Sequence, residues 1–219
     1  MEKHEKPSVT VDIVIFTIKE KKLKVLLVKR NIEPFKERWA IPGGFVRIEE
    51  SLEEAAKREL QEETGVRDVY LEQLYTFGDP KRDPRGRVIT VSYMALINSD
   101  KIKLEAKTDV SDVQWFSIDK LPSVAFDHKK ILDYALQRLK WKFEYTTVAF
   151  SLLPREFSIS EVQGIYEIVF NKEFDKRNFA KKLLSLRILQ EERIRKDVSH
   201  RPPMLYSLKK DVSRIVEIL

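Results

Sequence analysis

Gly44 to Val66 reads GFVRIEESLEEAAKRELQEETGV, and this stretch decides how the first part of the chain folds. Ser51 followed three residues later by Glu54 is a capping box, which predicts that a helix begins there. Gly65 is placed to end that helix, because glycine readily adopts the left-handed conformation of a helix C-terminus. The stretch therefore predicts a loop followed by a helix of about three turns.

The predicted helix carries carboxylates on the side where apolar residues belong. A stripe of small apolar residues runs along one side, and it continues through Glu59, Glu62 and Glu63. Unpaired charges on a partly buried face are costly, and a hard divalent cation with oxygen ligands would compensate for them. The alternative is a solvated helix with ion pairs four residues apart, such as Glu54 with Arg58. That pair lies on another face and leaves the stripe unexplained.

The same stretch resembles the Nudix box, since Gly44, Glu50 and the run from Arg58 to Val66 fill its fixed positions. The resemblance implies an α/β/α sandwich and cleavage of nucleoside diphosphates linked to another moiety. Mg²⁺ is the implied cofactor, with Mn²⁺ as the alternative cation. The implied metal ligands are the Gly43 carbonyl with Glu59, Glu62 and Glu63.

Other catalytic roles are implied by the same resemblance. Arg58 should orient the neighbouring carboxylates, and Glu50 is either a further ligand or a structural residue. A general base is not part of the motif, and in many relatives it is a carboxylate from a loop. The candidates in this chain are Asp100, Glu105, Asp109 and Asp112, among which the sequence does not choose.

Composition and charge limit the function classes. The 219 residues contain no cysteine, which excludes disulfides and thiol catalysis. We expect a cytoplasmic protein, because no signal peptide or long apolar run is visible. His4, His128 and His200 are scattered, so we expect surface or loop positions rather than a metal centre. Residues 151–219 hold 14 Lys and Arg against 10 Asp and Glu, a weak indication of a polyanionic partner.

Strand and helix patterns around the box predict a first domain over residues 1–147. Ser8–Thr17 and Leu23–Val28 are β-branched and apolar runs around a charged turn, which is typical of a hairpin. Strands are also predicted at 69–77, 88–97 and 113–118, and a helix at 128–139. This alternation is typical of an α/β fold.

The loop at 78–87, GDPKRDPRGR, is rich in arginine and has its shape restricted by proline and glycine. Guanidinium groups make bidentate, charge-assisted bonds to phosphate, so Arg82, Arg85 and Arg87 are candidate ligands of a diphosphate. Arg30 is a further candidate. The loop resembles that of ADP-ribose-type Nudix proteins and their regulatory relatives. The alternative is a hairpin loop held by internal Asp and Arg pairs.

The pattern changes near residue 148, and 148–219 is predicted to be a second domain. A capping box at Ser158 begins one helix, and Lys176–Leu186 (KRNFAKKLLSL) has an apolar back and a basic, amide-bearing front. Two strand-like runs, 188–194 and 204–208, surround a charged turn. Helix, turn, helix and hairpin predict a winged helix-turn-helix. The alternative for Lys176–Leu186 is a solvated helix that packs the second domain onto the first.

The basic helix predicts contacts to double-stranded DNA. We expect Arg177, Asn178 and Lys181 to contact bases or phosphates, and Lys182, Arg187 and Arg201 to contact the backbone. The combination of both domains resembles the Nudix-related transcriptional regulators, which include ADP-ribose sensors of NAD metabolism and sugar-sensing cousins. The resemblance implies a homodimer that binds an operator and an ADP-ribose-like or sugar ligand.

Two functions from different classes follow from this resemblance. The chain is either a regulator whose Nudix domain senses its effector, or a dedicated ADP-ribose pyrophosphatase whose second domain serves dimerisation or substrate choice. A sugar-responsive regulator is a third possibility. Regulators of this kind often have degraded boxes, whereas this box is complete, so we predict that the regulator also retains Mg²⁺-dependent pyrophosphohydrolase activity.

Overall fold

The β-branched run near the N-terminus forms the central strand of a mixed sheet. The computed structural model describes residues 6–65, 69–98, 110–195 and 202–219. Within these ranges the sheet has seven strands: β1 (Ser8–Lys19), β2 (Lys22–Arg30), β3 (Trp39–Ala40), β4 (Gly43–Phe45), β5 (Tyr70–Phe77), β6 (Val88–Leu96) and β7 (Val110–Ser117). The order along the sheet is β3-β2-β1-β6-β5, with β4 paired to β1 and β7 paired to β2. The predicted hairpin and strands are therefore present.

Pairing around β1 brings distant parts of the chain together. β1 runs parallel to β6 and antiparallel to β4, so that Asp12 lies opposite both Ser92 and Gly43. Both faces of β1 are buried, since the successive residues Ile13 and Val14, which point to opposite faces, are both inaccessible to solvent. The charged side chain of Asp12, in the middle of this strand, therefore lies at the interior of the sheet, next to the glycine pair Gly43 and Gly44.

The box helix, α1 (Leu52–Thr64), has the predicted ends. The Ser51 side chain accepts a hydrogen bond from the Glu54 amide, and the Glu54 carboxylate accepts one from the Ser51 amide. Gly65 ends the helix at φ 75°. Ala55 and Ala56 are fully buried in the same apolar cluster as Val11 and Ile13, so α1 covers one face of the sheet.

The helix α2 (His128–Tyr145) is six residues longer at its C-terminus than the sequence predicts. The chain divides into two compact units, Met1–Thr17 with Lys24–Leu136 and Ile18–Leu23 with Gln137–Leu219. The division falls inside α2, whereas the sequence places the boundary after residue 147. We retain 1–147 and 148–219 as proposed domains, because residue 147 follows the last turn of this continuous helix.

The second unit contains the predicted helices and hairpin. Its elements after α2 are α3 (Ile159–Phe170), α4 (Lys176–Ser185), β8 (Leu189–Ile194) and β9 (Met204–Leu208). Phe157 exchanges two main-chain hydrogen bonds with Tyr206 of β9 and so forms a single β-bridge to the two-stranded hairpin. The buried Tyr166 hydroxyl donates to the Phe143 carbonyl at 3.0 Å and fixes α3 against the end of α2.

These elements confirm the predicted fold class, a Nudix α/β/α sandwich followed by a winged helix-turn-helix. On α4 the apolar residues Phe179 and Leu183 are buried, as the helical wheel predicts. In the described part of the chain, no helix is both long and apolar enough to cross a membrane.

Candidate functional site

A cavity of about 450 Å³ opens in the first unit beside α1. The size is typical of small-molecule sites. Its lining combines carboxylates from β1 and α1 with guanidinium groups from β2 and from the loop at 78–87. The charged residues that line it are Asp12, Arg30, Arg47, Arg58, Glu59, Glu62, Glu63, Arg82, Asp83 and Arg85. A pocket with both charge signs suits a ligand that carries phosphate together with a cation.

Arg58 is bonded to the carboxylates around it. It donates two hydrogen bonds to Glu50, at 2.5 and 2.8 Å, one to Glu59 at 2.5 Å and one to Glu62 at 3.1 Å. These bonds lower the pKa of Glu50 to about 2. Of the ion pairs in the alternative interpretation, Glu54–Arg58 is replaced by these contacts, because Glu54 caps its own helix, whereas Glu53 does pair with Lys57 at 2.6 Å. Arg58 therefore holds the box carboxylates in place, and Glu50 serves as its anchor.

Glu59 and Glu63 point toward the glycine pair. The Gly43 amide donates to Glu63 at 2.9 Å. A Cβ added at Gly44 would lie 2.2 Å from a Glu59 carboxylate oxygen, and one at Gly43 would lie 2.1 Å from the Val11 carbonyl oxygen. Gly43 therefore requires glycine, because a side chain there would displace the backbone of β1, whereas a side chain at Gly44 would displace the Glu59 carboxylate.

Electrostatics in this part of the pocket favour a bound cation. Burial, together with the charges of Glu59 and Asp12, raises the pKa of Glu63 to about 8, against the opposing effect of the Gly43 hydrogen bond. Burial also raises the pKa of Glu59, against the opposing effect of Arg58. Among the described residues, no three His, Asp or Glu side chains already form a metal cage. The Glu59 and Glu63 carboxylates nevertheless fit a hard divalent cation. A bound cation would relieve the repulsion between them, provided that Arg58 gives up its hydrogen bond to Glu59.

Arg82 is buried and paired rather than free in the pocket. Its side chain is 3% exposed and donates to Asp127 at 2.8 and 3.1 Å and to Asp12 at 3.4 Å. The predicted phosphate contact of Arg82 stays a prediction, although its guanidinium here links the loop at 78–87 to β1 and to the start of α2. A buried pair of this kind is costly to break, because the remaining charge is left without a partner.

The expectation for His128 was wrong. It is buried, 4% exposed, and its Nδ1 accepts a hydrogen bond from the Ile41 amide at 2.9 Å. Burial lowers its pKa, against the effect of Asp12, whose carboxylate lies 3.6 Å from Nε2. His128 is thus a neutral interior residue that joins α2 to the strand leading into the box. His4 and His200 lie outside the described residues.

The other predicted phosphate ligands lie in different surroundings. Arg30 and Arg85 both line the pocket. Asp83 holds Arg85 through two bonds, at 2.7 and 3.0 Å, so the loop does contain an internal pair. Arg87 donates to the Gly78 carbonyl at 2.7 Å and is not among the described residues that line the pocket.

The structure describes only one of the candidate general bases. Asp112 lies on β7, where it accepts hydrogen bonds from the Val113 amide and the Gln114 side chain. Asp100, Glu105 and Asp109 lie outside the described residues. The identity of the general base therefore stays a prediction with four candidates.

In the second unit, α4 presents the predicted DNA-binding residues to solvent. Arg177, Asn178, Lys181 and Lys182 are all exposed on α4. Asp175 caps this helix by accepting a hydrogen bond from the Asn178 amide at 2.8 Å. Arg187 is exposed at the turn into β8 with φ 56°. Arg201 lies outside the described residues.

Several pocket residues were missed by reasoning from the sequence. Asp12 offered a signal, because it is a lone charge within the apolar run SVTVDIVIFT. Phe45, Phe126 and Asp127 offered none, since their roles depend on residues brought near by the fold. These residues complete the wall of the pocket or its support.

Two protein-family models match the chain, one in each of the two domains that the sequence patterns predict. Residues 6–137 match the model described as the NUDIX domain. Residues 149–208 match the model described as the NrtR DNA-binding winged helix domain. Both halves of the chain are thus accounted for by known domains.

Known proteins are similar to one or both domains. A protein of Acinetobacter baylyi named ADPR responsive transcriptional repressor NtrR is 37% identical over 204 residues, which cover 91% of this chain and 81% of that protein. An ADP-ribose pyrophosphatase of Methanocaldococcus jannaschii is 41% identical over 137 residues, 62% of this chain and 75% of that protein.

Similarity to a solved structure extends over nearly the whole chain. The crystal structure of Shewanella oneidensis NrtR complexed with a 27mer DNA has a TM-score of 0.82 and 35% identity, and the match covers 95% of this chain and 99% of that chain. The chain therefore belongs to the Nudix domain family, among the NrtR-type transcriptional regulators that join this domain to a DNA-binding winged helix.

Proposed function

We propose that the protein is a transcriptional repressor that binds operator DNA through its winged helix and responds to ADP-ribose bound in its Nudix domain. The observation that supports the proposal is that one chain combines a pocket lined by arginines, suited to a phosphate ligand, with an exposed basic helix, α4, suited to DNA. The Acinetobacter relative, which is similar across both domains, is named as an ADPR-responsive repressor.

The diphosphate of the ligand would lie between the carboxylates of α1 and the arginines across the pocket. Arg30 and Arg85 are the best-placed donors, because both line the cavity and guanidinium binds phosphate oxygens in pairs. Arg82 would act indirectly by holding the loop at 78–87 against Asp127. A diphosphate without a cation would be repelled by Glu59 and Glu63, so we expect ligand affinity to rise with Mg²⁺ or Mn²⁺.

We further propose that the complete box retains hydrolysis. Glu59, Glu62, Glu63 and the Gly43 carbonyl would hold the cation. When bound, it would neutralise the diphosphate and lower the pKa of a coordinated water. Arg58 would release Glu59 for this role while staying bonded to Glu50. Attack of water on one phosphorus would give AMP and ribose 5-phosphate.

On the DNA side, α4 would lie in the major groove. Arg177, Asn178 and Lys181 are the proposed base or phosphate contacts, and Lys182, Arg187 and Arg201 the proposed backbone contacts. A homodimer would place two such helices on two half-sites. Ligand binding must favour one arrangement of the domains over another, because a ligand shifts an equilibrium only through differential affinity.

Two assays on one preparation test the proposal. The first is a gel shift with the upstream region of the protein's own gene, with and without ADP-ribose. The second measures AMP release from ADP-ribose with Mg²⁺. A shift that ADP-ribose relieves supports the regulator, whereas turnover without any shift would leave a dedicated hydrolase.

Variants connect each assay to its domain. Arg177→Ala should weaken operator binding, whereas Arg155→Ala, an exposed arginine of the same unit outside α4 and the hairpin, is the matched control. Operator affinity unchanged by Arg177→Ala would contradict the assignment of α4. Glu63→Gln should abolish turnover and leave DNA binding intact.

A dedicated ADP-ribose pyrophosphatase is the second candidate function. The observation in its favour is the complete box, together with the similarity of the first domain to the Methanocaldococcus enzyme. Under this function the second domain would serve dimerisation or substrate choice. A sugar effector is distinguished by repeating the gel shift with ribose 5-phosphate or free sugars in place of ADP-ribose.

A further inference from the structure

One aromatic side chain in the pocket wall contacts two guanidinium groups. The Arg30 guanidinium carbon lies 4.9 Å from the centre of the Phe126 ring, and that of Arg85 lies 5.4 Å from it. Both distances are within the range of cation–π attraction. Arg30 comes from β2 and Arg85 from the loop at 78–87, so this ring brings together cations from two distant parts of the chain.

Each guanidinium is also anchored at another point, which leaves donors available. Arg30 donates to the carbonyls of Pro34 and Ile32, at 2.8 and 3.4 Å, and so uses two of its five N–H groups in these bonds. Asp83 holds the Nε and one Nη of Arg85. The Arg85 guanidinium carbon also lies 5.0 Å from the centre of the Phe45 ring. Anchors on one side and aromatic rings on the other restrict where each guanidinium can lie.

Two like charges near one ring favour an anionic ligand. Burial lowers the pKa of Arg30, and the charge of Arg85 lowers it further. A ligand with two adjacent negative groups would relieve this repulsion and accept hydrogen bonds from both arginines. A diphosphate has this chemistry, and both arginines line the cavity that the box carboxylates also line.

The main chain holds Phe126 in an unfavourable conformation. Its φ is 50°, in the left-handed region that non-glycine residues rarely adopt. The Ala125 amide donates to the Trp39 carbonyl at 2.8 Å, and the next residue, Asp127, is bonded to Arg82. Such strain persists only where surrounding contacts impose it, and it is typical of functional sites.

We propose that Phe126 is a positioning residue that holds Arg30 and Arg85 side by side as the receptor for the ligand's diphosphate. This inference rests on the proposed function, because it assumes that a nucleoside diphosphate derivative occupies the pocket. Phe126 acts through the two arginines. It therefore determines diphosphate affinity without itself bonding to phosphate.

Titration calorimetry on the full-length protein with Mg²⁺ tests the proposal; the ligand is an ADP-ribose analogue with a methylene bridge between its two phosphorus atoms, which prevents turnover and leaves the box carboxylates intact. Phe126→Leu removes the aromatic face but keeps an apolar, unbranched-Cβ side chain that meets the same backbone strain. We expect its Kd to rise about tenfold, as the loss of two cation–π contacts implies. Phe126→Tyr keeps the ring and should restore affinity to within about twofold.

Two further variants separate positioning from a structural role. Phe116→Leu is the matched control, since Phe116 is also a partly buried ring, in edge contact with Trp39 at 4.7 Å. It should leave Kd unchanged. In an Arg85→Met background, Phe126→Leu should cost clearly less than tenfold, because one of the two guanidiniums through which Phe126 acts is already gone.

The outcomes distinguish this inference from the proposed function. If the protein with no Phe126 substitution does not bind the analogue, both fail together. If it binds the analogue but Phe126→Leu has the same Kd, the positioning role is refuted while the function stands. The positioning role is likewise refuted if Phe126→Tyr is as weak as Phe126→Leu, or if the full loss persists in the Arg85→Met background.

Discussion

Glu63→Gln should make the ligand-free protein more stable while it removes metal-dependent activity. Glu63 is partly buried in the pocket, accepts a hydrogen bond from the Gly43 amide at 2.9 Å and lies near Glu59 and Asp12. Glutamine can accept the same hydrogen bond without a charge. The substitution therefore removes a carboxylate that is costly to ionise in the folded protein and leaves the local geometry intact.

The size and pH dependence of the effect follow from the pKa of Glu63. Burial raises it to about 8 from an ordinary value of 4.5. Between these values the folded protein retains a proton that the unfolded chain releases, so stability falls as pH rises. At about 1.4 kcal/mol per pH unit, the 2.5 units between pKa 4.5 and pH 7 correspond to a penalty of ~3.5 kcal/mol, and pocket water reduces it to ~2–3 kcal/mol.

Urea unfolding at pH 5, 7 and 8 in the presence of a chelator measures the prediction. The gain from Glu63→Gln should be below ~1 kcal/mol at pH 5 and should increase toward pH 8. Glu62→Gln is the matched control, because Glu62 belongs to the same helix but its side chain is 49% exposed. Its effect should stay below ~1 kcal/mol. Added Mg²⁺ should stabilise the wild type more than Glu63→Gln.

Two results would refute the reasoning. If Glu63→Gln were no more stable than the wild type at pH 7 without metal, the charge of Glu63 would not be unfavourable in the folded protein. If the gain were equal at pH 5 and pH 8, its origin would not be the ionisation of this carboxylate. A preserved Mg²⁺ stabilisation in the variant would remove Glu63 from the proposed ligands.

Three further substitutions test the structure itself. Asp127→Asn should destabilise the protein by ~3–5 kcal/mol in urea unfolding, because it leaves the buried Arg82 without its main partner. Asp133→Asn breaks the exposed Lys129–Asp133 pair on the neighbouring helix α2 and should cost below ~0.5 kcal/mol; equal effects would contradict the buried pair. Tyr166→Phe should lower stability by ~1 kcal/mol through loss of its buried hydrogen bond, and an unchanged melting curve would show that the hydroxyl contributes nothing. Asp175→Ala should cost ~1 kcal/mol as a lost helix cap while Asp175→Asn retains it, so similar losses in both would argue against capping.

Local patterns in the sequence were sufficient to predict most of the secondary structure. The capping boxes at Ser51 and Ser158 and the C-terminal glycine Gly65 are contacts between residues three or four apart, and each forms as expected. The end of α2 was missed, because no proline or glycine ends it and its last turns are fixed by contacts with residues far along the chain. The Ile218 amide, for example, donates to the Glu144 carbonyl.

The sequence by itself determined the box, the helix that carries it, the family resemblance and the two-domain composition, since each depends on residue types at short, regular spacing. The tertiary structure alone decided the partners of the charged groups. Arg82 bonds with Asp127, 45 residues away, and with Asp12, 70 residues away, while His128 bonds with Ile41 across 87 residues. A guanidinium can bind phosphate or a carboxylate equally well, so only the carboxylates that folding brings near it determine which arginines remain available for a ligand.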